Sequence, residues 1–221
     1  MKRFIFLYIF FSPISIFGQS PVDKIMSKAT CDCISSLLNP AGQDKKAFNE
    51  CFLNAVGINK GLLTKECLAL YGDTTNEAFY KFGDDFFNRN SVNLIYSCDA
   101  YYEILDSARY LQINSLNKDS IHALIKSLNI TEPQTWDKAF LLRRGLFYFA
   151  VNDYNNAMND LNASLALDPT ITQSIFFKAW IFEIGKNYDE AIKLYNDLAV
   201  LTKEKNYNIL AAIANRKKSN R

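Results

Sequence analysis

Two consecutive stretches repeat one pattern and decide the fold: residues 138–171, KAFLLRRGLFYFAVNDYNNAMNDLNASLALDPTI, and residues 172–203, TQSIFFKAWIFEIGKNYDEAIKLYNDLAVLTK. At an offset of 34, small residues align with small residues and aromatic residues with aromatic ones. The aligned pairs are Gly145 with Ala179, Tyr148 with Phe182, Tyr154 with Tyr188, and Ala157 with Ala191. A small residue lets one helix approach its partner closely, while the aromatic side chains fill the space beside it. The repeated pattern therefore predicts two consecutive helical hairpins.

The wording of the repeat resembles the tetratricopeptide repeat. Tyr188-Asp189-Glu190-Ala191 is close to that family's usual sequence, and the period of 34 residues is the family's own. The predicted turns are residues 151–153 and 185–187, and Pro169 ends the first unit because proline cannot continue a helix. Three features depart from the family: Leu141 and Ile175 replace its Trp, Arg144 and Lys178 replace its Leu, and the second unit ends at Lys203 without a proline. The resemblance implies an α-α superhelix that binds other proteins.

The resemblance also implies a binding surface, since the first helix of each unit lines the concave face in this family. The residues placed there are Leu142, Leu146, Phe149, Phe176, Trp180 and Glu183. This face lacks the Lys, Asn and Arg side chains with which the family clamps a C-terminal carboxylate. Two interpretations remain open: a protein or peptide partner docks an apolar segment on these aromatic residues, or the chain's own helices cover them.

The rest of the chain is also predicted to be helical. Only 8 Gly and 5 Pro in 221 residues, and no sustained strand alternation, favour an all-α fold. We expect helices over 22–38, 44–56 (stopped by Gly57), 62–71, 118–128 and a capping helix over 206–216. A longer helix is expected from Thr75 towards Leu111, with a break near residues 88–90. The expected division is a helical domain over 19–116, a short helix and linker over 117–137, and repeats with their cap over 138–221.

The first eighteen residues have the order of a secretory signal peptide. Lys2 and Arg3 precede a phenylalanine-rich apolar run, and Gly18 supplies a small residue before Gln19. This arrangement resembles export signals of Bacteroidota. An uncleaved anchor is the alternative, but spanning needs about 20 apolar residues and Pro13 would break the helix. We therefore expect cleavage, a periplasmic or secreted protein, and no membrane span in the mature chain.

The charge balance argues against nucleic acid as a partner. The formal charge is +2, and removing Lys2 and Arg3 leaves 2 − 2 = 0. A neutral chain has no long-range field that would attract nucleic acid or an anionic membrane. The basic group at Arg216-Lys217-Lys218 is interpreted as cations favoured by the C-terminus of the last helix.

Five cysteines, all before the repeats, are expected to form structural disulfides in an oxidising compartment. Cys31 and Cys33 lie two residues apart on a helix, about 200° around it, so each needs a different partner. Cys51 fits either of them across a helical hairpin, and Cys98 is expected to take the other, leaving Cys67 unpaired. A redox or metal site is disfavoured because the spacing is CxC and His122 is the only histidine.

No motif in the sequence indicates catalysis. His122 is interpreted as a solvated residue on a helix surface, and adjacent acids such as Asp84-Asp85 diverge by about 100° on a helix. There is no Gly-rich phosphate loop and no G-x-S-x-G elbow in the sequence. We expect no catalytic residue, metal or cofactor, and a protein-interaction module or scaffold. The alternatives are a fixed subunit of a cell-envelope complex and an enzyme without a recognisable motif.

Overall fold

The computed structural model describes residues 19–37, 45–130 and 136–220, and within these ranges it contains eleven helices and no strand. The all-α prediction is confirmed for this part of the chain. The helices are α1 (Pro21–Leu37), α2 (Lys45–Ile58), α3 (Lys60–Tyr71), α4 (Asn76–Ser97), α5 (Asp99–Asn114), α6 (Lys118–Asn129), α7 (Lys138–Ala150), α8 (Tyr154–Leu167), α9 (Thr172–Ile184), α10 (Tyr188–Thr202) and α11 (Asn206–Ser219). The predicted signal peptide at 1–18 and the linker at 131–133 lie outside the described residues.

The helices α7 to α10 form two hairpins whose turns have the same backbone geometry. Asn152 and Lys186, 34 positions apart, both have left-handed conformations, with φ of 65° and 63°. In the first turn the Asp153 amide donates to the Tyr148 carbonyl at 2.9 Å, and in the second the Asn187 amide donates to the Phe182 carbonyl at 2.8 Å. The repeat in the sequence is thus a repeat in the backbone.

Small residues permit the close helix contacts, as their alignment predicts. A Cβ added at Gly145 would lie 3.3 Å from Cβ of Asp160 and 3.3 Å from Cγ of Leu161, both on α8. The aligned Ala179 is fully buried against α10. A larger side chain at either position would push the two helices of a hairpin apart.

The N-terminal half has its own core, which two disulfides tie together. Phe82, Phe86 and Met26 are among its fully buried side chains. Cys31 is bonded to Cys98 and Cys33 to Cys51, and Cys67 is unpaired and buried. The prediction that the two CxC cysteines take different partners is confirmed, and the structure selects Cys33 as the partner of Cys51.

Two predicted helix ends are wrong. The helix does not stop before Gly57, because α2 continues through it to Ile58. The long helix breaks at Cys98, where the backbone is extended (φ −136°, ψ 105°), and not at residues 88–90. Asn90 is tolerated inside α4 because its side chain donates to the Phe86 carbonyl at 3.0 Å and accepts a hydrogen bond from Gln19. Its polar atoms therefore have partners without a break in the helix.

The last helix joins the two halves of the molecule. Ala212 and Ile213 of α11 pack into the N-terminal core, while Ala211 and Ala214 pack into the core of α9 and α10. The predicted capping helix therefore has two buried faces. It covers the end of the second hairpin and also fixes that hairpin to α4.

Candidate functional site

The side chains expected on the concave face are largely covered by the chain itself. Trp180 is only 4 % exposed, and its ring lies 5.4 Å from Tyr110 of α5 and 5.0 Å from Phe149, measured between centroids. Ile113 of α5 packs into the same cluster. Because α5 lies outside the repeated pattern, the sequence does not indicate this contact. Of the two interpretations left open, the structure supports coverage by the chain's own helices.

The other predicted concave residues have mixed surroundings. Leu142 is half-buried in the Trp180 cluster, and Leu146 is half-buried on α7. Phe176 lies against both Trp180 and Tyr207 of α11, with ring centroids 5.7 and 6.3 Å apart. The last helix, α11, thus also contributes to the cover through Tyr207.

Glu183 is the centre of a buried ionic cluster rather than a surface group. Its carboxylate accepts hydrogen bonds from Arg109 at 2.9 and 2.7 Å, from Lys217 at 2.9 Å and from the Tyr195 hydroxyl at 3.0 Å. Asp106 balances the charge by pairing with both Arg109 and Lys217. These five residues come from α5, α9, α10 and α11. The cluster therefore holds the two halves of the protein in register.

The electrostatics of this cluster follow from burial and pairing. Burial acts to raise the pKa of Glu183, but the hydrogen bonds and charges of Arg109 and Lys217 outweigh it and lower that pKa below its ordinary value. Burial alone would lower the pKa of Lys217, yet its two carboxylate partners raise it to about 12. Pairing thus favours the charged forms of both Glu183 and Lys217.

The aligned aromatic and small positions contribute to hairpin packing. Tyr154 packs edge-on against Phe149, and the Tyr148 hydroxyl donates to the Asn129 side chain at 3.2 Å. Phe182 and Tyr188 are half-buried, and Ala157 and Ala191 are fully buried.

The structure explains why Arg144 stands where the tetratricopeptide pattern usually has a leucine. Its guanidinium donates two hydrogen bonds of 2.7 Å to Asp160 of α8 and stacks 3.9 Å from the Trp136 ring centroid. Arg144 is thus buried with its charge paired, where a leucine would have packed by apolar contact alone.

The basic residues near the C-terminus lie where the sequence predicts, and they also form ion pairs that the sequence does not indicate. The three cations lie in the last turn of α11, as predicted, but each forms an ion pair: Arg216 with Asp99, Lys217 with Asp106 and Glu183, and Lys218 with Asp189. Sequence reasoning missed these pairs because their partners lie up to 117 positions away.

An exposed apolar surface lies elsewhere, in a groove between α2 and α4 with a volume of about 670 Å³. Its walls are apolar and largely aromatic, formed by Phe52, Leu53, Val56, Phe79, Tyr80 and Phe87. Leu53 is 59 % exposed and Tyr80 is 74 % exposed, so these two side chains project from the rim. Large apolar groups in contact with water at a concave surface are typical of interaction sites.

Two glycines shape the α2–α4 groove. A Cβ at Gly83 would lie 3.0 Å from Cε1 of Phe52, so glycine allows that ring to lie across α4. A Cβ at Gly57 would meet nothing within 4 Å, so the groove is open above this residue. The sequence predicts Gly57 only as the end of a helix. In the structure Gly57 lines the groove, and because it has no side chain the backbone there is open to close approach.

Two charged groups, Lys60 and Asp84, are among the residues that line the α2–α4 groove. Phe52 contacts Phe87 at one end, with ring centroids 4.7 Å apart, and Asp84 lies less than one turn from Phe87. Asn76 lines the groove towards the other end, since it precedes Phe87 by eleven residues, or about 16 Å of helix. Lys60, the first residue of α3, also lines the groove. Neither Lys60 nor Asp84 forms an ion pair within the described residues.

The described ranges were also searched for a buried histidine, a metal-binding cluster and a membrane-spanning helix. His122 is exposed on α6. Within residues 19–37, 45–130 and 136–220, no cluster of three or more His, Cys, Asp or Glu side chains could hold a metal ion. No helix among these residues is long and apolar enough to cross a membrane.

No family model, no curated protein and no solved structure matches this chain.

Proposed function

We propose that this chain is an exported protein-interaction module, built on two tetratricopeptide-type repeats, whose protein partner docks in the α2–α4 groove. The repeat assignment rests on the 34-residue period and on the equivalent left-handed turns at Asn152 and Lys186. Export, to a periplasmic or extracellular location, is supported by the order of residues 1–18 and by two cysteine pairs at bonding distance.

The observation that carries the binding assignment is the difference between the two aromatic surfaces. Trp180 and Phe149, which the family would use, are buried against α5, whereas Tyr80 and Leu53 project from the α2–α4 groove. An interaction module needs an accessible apolar surface on which hot-spot residues can be buried. The α2–α4 groove offers one, and the concave face is occupied.

A protein fits the α2–α4 groove better than a small molecule does. A ligand lying inside the groove would leave the projecting rim side chains Leu53 and Tyr80 in water. A helix, about 10–12 Å across with its side chains, is wide enough to cover the floor and both walls. The expected partner therefore presents an apolar segment of one or more helices.

Site-specific photo-crosslinking in the producing cell tests this proposal. A photoreactive phenylalanine analogue replaces Tyr80, and in a matched control it replaces Val200, which is 81 % exposed on α10. We expect crosslinked protein products from position 80 and none of the same mass from position 200. A single stoichiometric product would indicate a fixed complex, and several products would indicate transient clients. Absence of any crosslink from position 80 would refute docking in the groove.

A further inference from the structure

We infer that a second cavity, where α5 and α11 meet the repeats, binds a short saccharide that carries a carboxylate. The cavity has a volume of about 540 Å³, within the range of about 300–1,000 Å³ that is usual for small-molecule sites. We call it the tyrosine cavity, and its walls include four tyrosines and two lysines: Tyr102, Tyr110, Tyr154, Tyr188, Lys186 and Lys217. It shares no described lining residue with the α2–α4 groove, so the inference goes beyond the proposed function.

The tyrosine cavity gathers four of the 12 tyrosines in the chain. Tyr154 and Tyr188 are 34 positions apart, and each begins the second helix of its hairpin, so the repeat places them at equivalent positions. Tyr102 and Tyr110 are added from α5. A tyrosine combines a flat apolar ring with a polar hydroxyl. A sugar combines apolar C–H faces with hydroxyl edges, so these side chains can contact both of its parts.

Several polar groups of the tyrosine cavity have no partner among the described residues. They include the hydroxyls of Tyr102 and Tyr110 and the side-chain amide of Asn220. The ammonium of Lys217 donates to Asp106 and Glu183, which leaves one of its N–H groups for a ligand. A ligand rich in hydroxyl groups can bond to all of them. An apolar ligand would instead remove them from water without replacing their hydrogen bonds, which costs free energy.

The charge of the tyrosine cavity favours a carboxylate on the ligand. In the buried ionic cluster two cations balance two carboxylates, so the cluster adds no net charge. Lys186, exposed in the left-handed turn before α10, adds one positive charge. Its ammonium forms no ion pair within the described ranges. A carboxylate bound beside Lys186 would supply the missing partner.

A cationic ligand fits the tyrosine cavity less well. Tyrosine rings can bind cations on their faces, but two of these rings already lie beside cations of the protein. The Arg216 guanidinium carbon is 4.3 Å from the Tyr102 ring centroid, and Lys217 Nζ is 5.7 Å from that of Tyr110. A further cation would meet their repulsion and that of Lys186.

Titration with three probes tests the inference, using the exported, disulfide-bonded protein and ligand-observed NMR. The probes are trigalacturonic acid, the neutral trisaccharide maltotriose, and triglutamate, which carries carboxylates without sugar rings. We expect trigalacturonic acid to bind most tightly. Absence of its binding would overturn the inference, and so would equal binding of triglutamate, since charge alone would then be recognised. Equal binding of maltotriose would overturn the assignment of a carboxylate.

Removing one hydroxyl tests where the saccharide binds. Tyr110→Phe keeps the ring that packs against Trp180, so the protein should remain folded, as circular dichroism establishes. Loss of one hydrogen bond should weaken the binding of trigalacturonic acid about two- to tenfold. The control is Tyr80→Phe in the α2–α4 groove, which should bind like wild type.

Removing the unpaired charge tests what the saccharide carries. Lys186→Gln should weaken the binding of trigalacturonic acid by up to about fivefold, as expected for an exposed ion pair, and leave maltotriose unaffected. The control is Lys193→Gln, at an exposed position of α10. Unchanged affinity in both Tyr110→Phe and Lys186→Gln would place the ligand elsewhere and overturn the inference. The crosslink from position 80 reports only on the α2–α4 groove, so the proposed function can fail or stand independently of this result.

Discussion

Arg109 on α5 donates two hydrogen bonds to Glu183 on α9, at 2.9 and 2.7 Å, although the two residues are 74 positions apart. Glu183 is 3 % exposed, so the pair is shielded from water. This contact connects the disulfide-linked half of the chain to the repeats. Arg109 also lies in the same turn of α5 as Tyr110, which covers Trp180 on the face predicted to be concave.

The ionic cluster should make stability depend on pH at the acid end. Because pairing lowers the pKa of Glu183 in the folded state, its charge stabilises the fold above the unfolded value of about 4.3. That contribution is lost as pH falls through the lower, folded pKa. Urea unfolding as a function of pH should therefore show a loss below about pH 4.5 that is smaller in Glu183→Gln.

The same variant should also have a lower free energy of unfolding than wild type at neutral pH. Glu183→Gln leaves Arg109 and Lys217 with Asp106 as their only carboxylate among the described residues, and removing one partner of a buried pair costs about 3–5 kcal/mol. The control is Glu190→Gln, at an exposed position of α10. Equal stability of the two variants at pH 7 would be incompatible with the cluster described.

Trp180→Ala should behave as a core mutation. Its ring is packed by Tyr110, Phe149 and Phe176, so the unfolding free energy should fall by about 3–5 kcal/mol. Tyr80→Ala at the groove rim is the comparison and should change stability by no more than about 0.5 kcal/mol. Thermal melts of both proteins measure this difference, and near-wild-type stability of Trp180→Ala would mean that the concave face is open.

The disulfides should stabilise the N-terminal half unequally. Loop-closure entropy gives about 3 kcal/mol for Cys33–Cys51, with a separation of 18, and about 4 kcal/mol for Cys31–Cys98, with a separation of 67. Replacing each pair by alanines and measuring urea unfolding should give losses in that order. Peptide mapping without reduction should recover these two linkages; a Cys31–Cys51 peptide would contradict the structure.

Two glycine substitutions should have opposite signs. Gly145→Ala places a Cβ 3.3 Å from Asp160 and 3.4 Å from the Ala157 carbonyl, so the hairpin must open slightly, at a cost of about 1–3 kcal/mol. Gly61→Ala on α3 meets nothing within 4 Å and should stabilise by about 0.5–1 kcal/mol, because alanine loses less backbone entropy on folding. If both substitutions change the free energy of unfolding in the same direction, Gly145 is not required for a close helix contact.

The parts of the fold that the sequence predicted are those governed by local pattern. The hairpin turns, the close contact at Gly145 and the separate partners of Cys31 and Cys33 all follow from spacing along a helix. The break at Cys98 was missed because no local turn residue marks it. Sequence pattern also shows no difference between Asn90 inside a helix and Asn90 at its end.

The candidate site was predicted less well, for a related reason. A repeat resemblance indicates which residues face the concave side, but not what else in the chain covers them. The cover comes from α5, through Arg109, Tyr110 and Ile113, and no local pattern in α5 indicates it. The α2–α4 groove was missed because Gly57 was interpreted as a helix stop. The sequence does place two aromatic residues, Phe79 and Tyr80, next to each other on a helix. Neighbours on a helix point about 100° apart, so this pair is a sequence signal that one of the two rings is not in the core.

The central claim is that α5 covers the face that the repeat resemblance predicts to be concave, and we therefore propose that binding uses another surface. The sequence has two tryptophans, and Trp136→Phe leaves Trp180 as the only indole. Acrylamide quenching of Trp180 fluorescence in this variant tests the claim most directly. We predict a blue-shifted emission with little quenching in the folded protein, rising to the fully accessible value only on unfolding. A red-shifted, readily quenched emission from the folded protein would contradict the account.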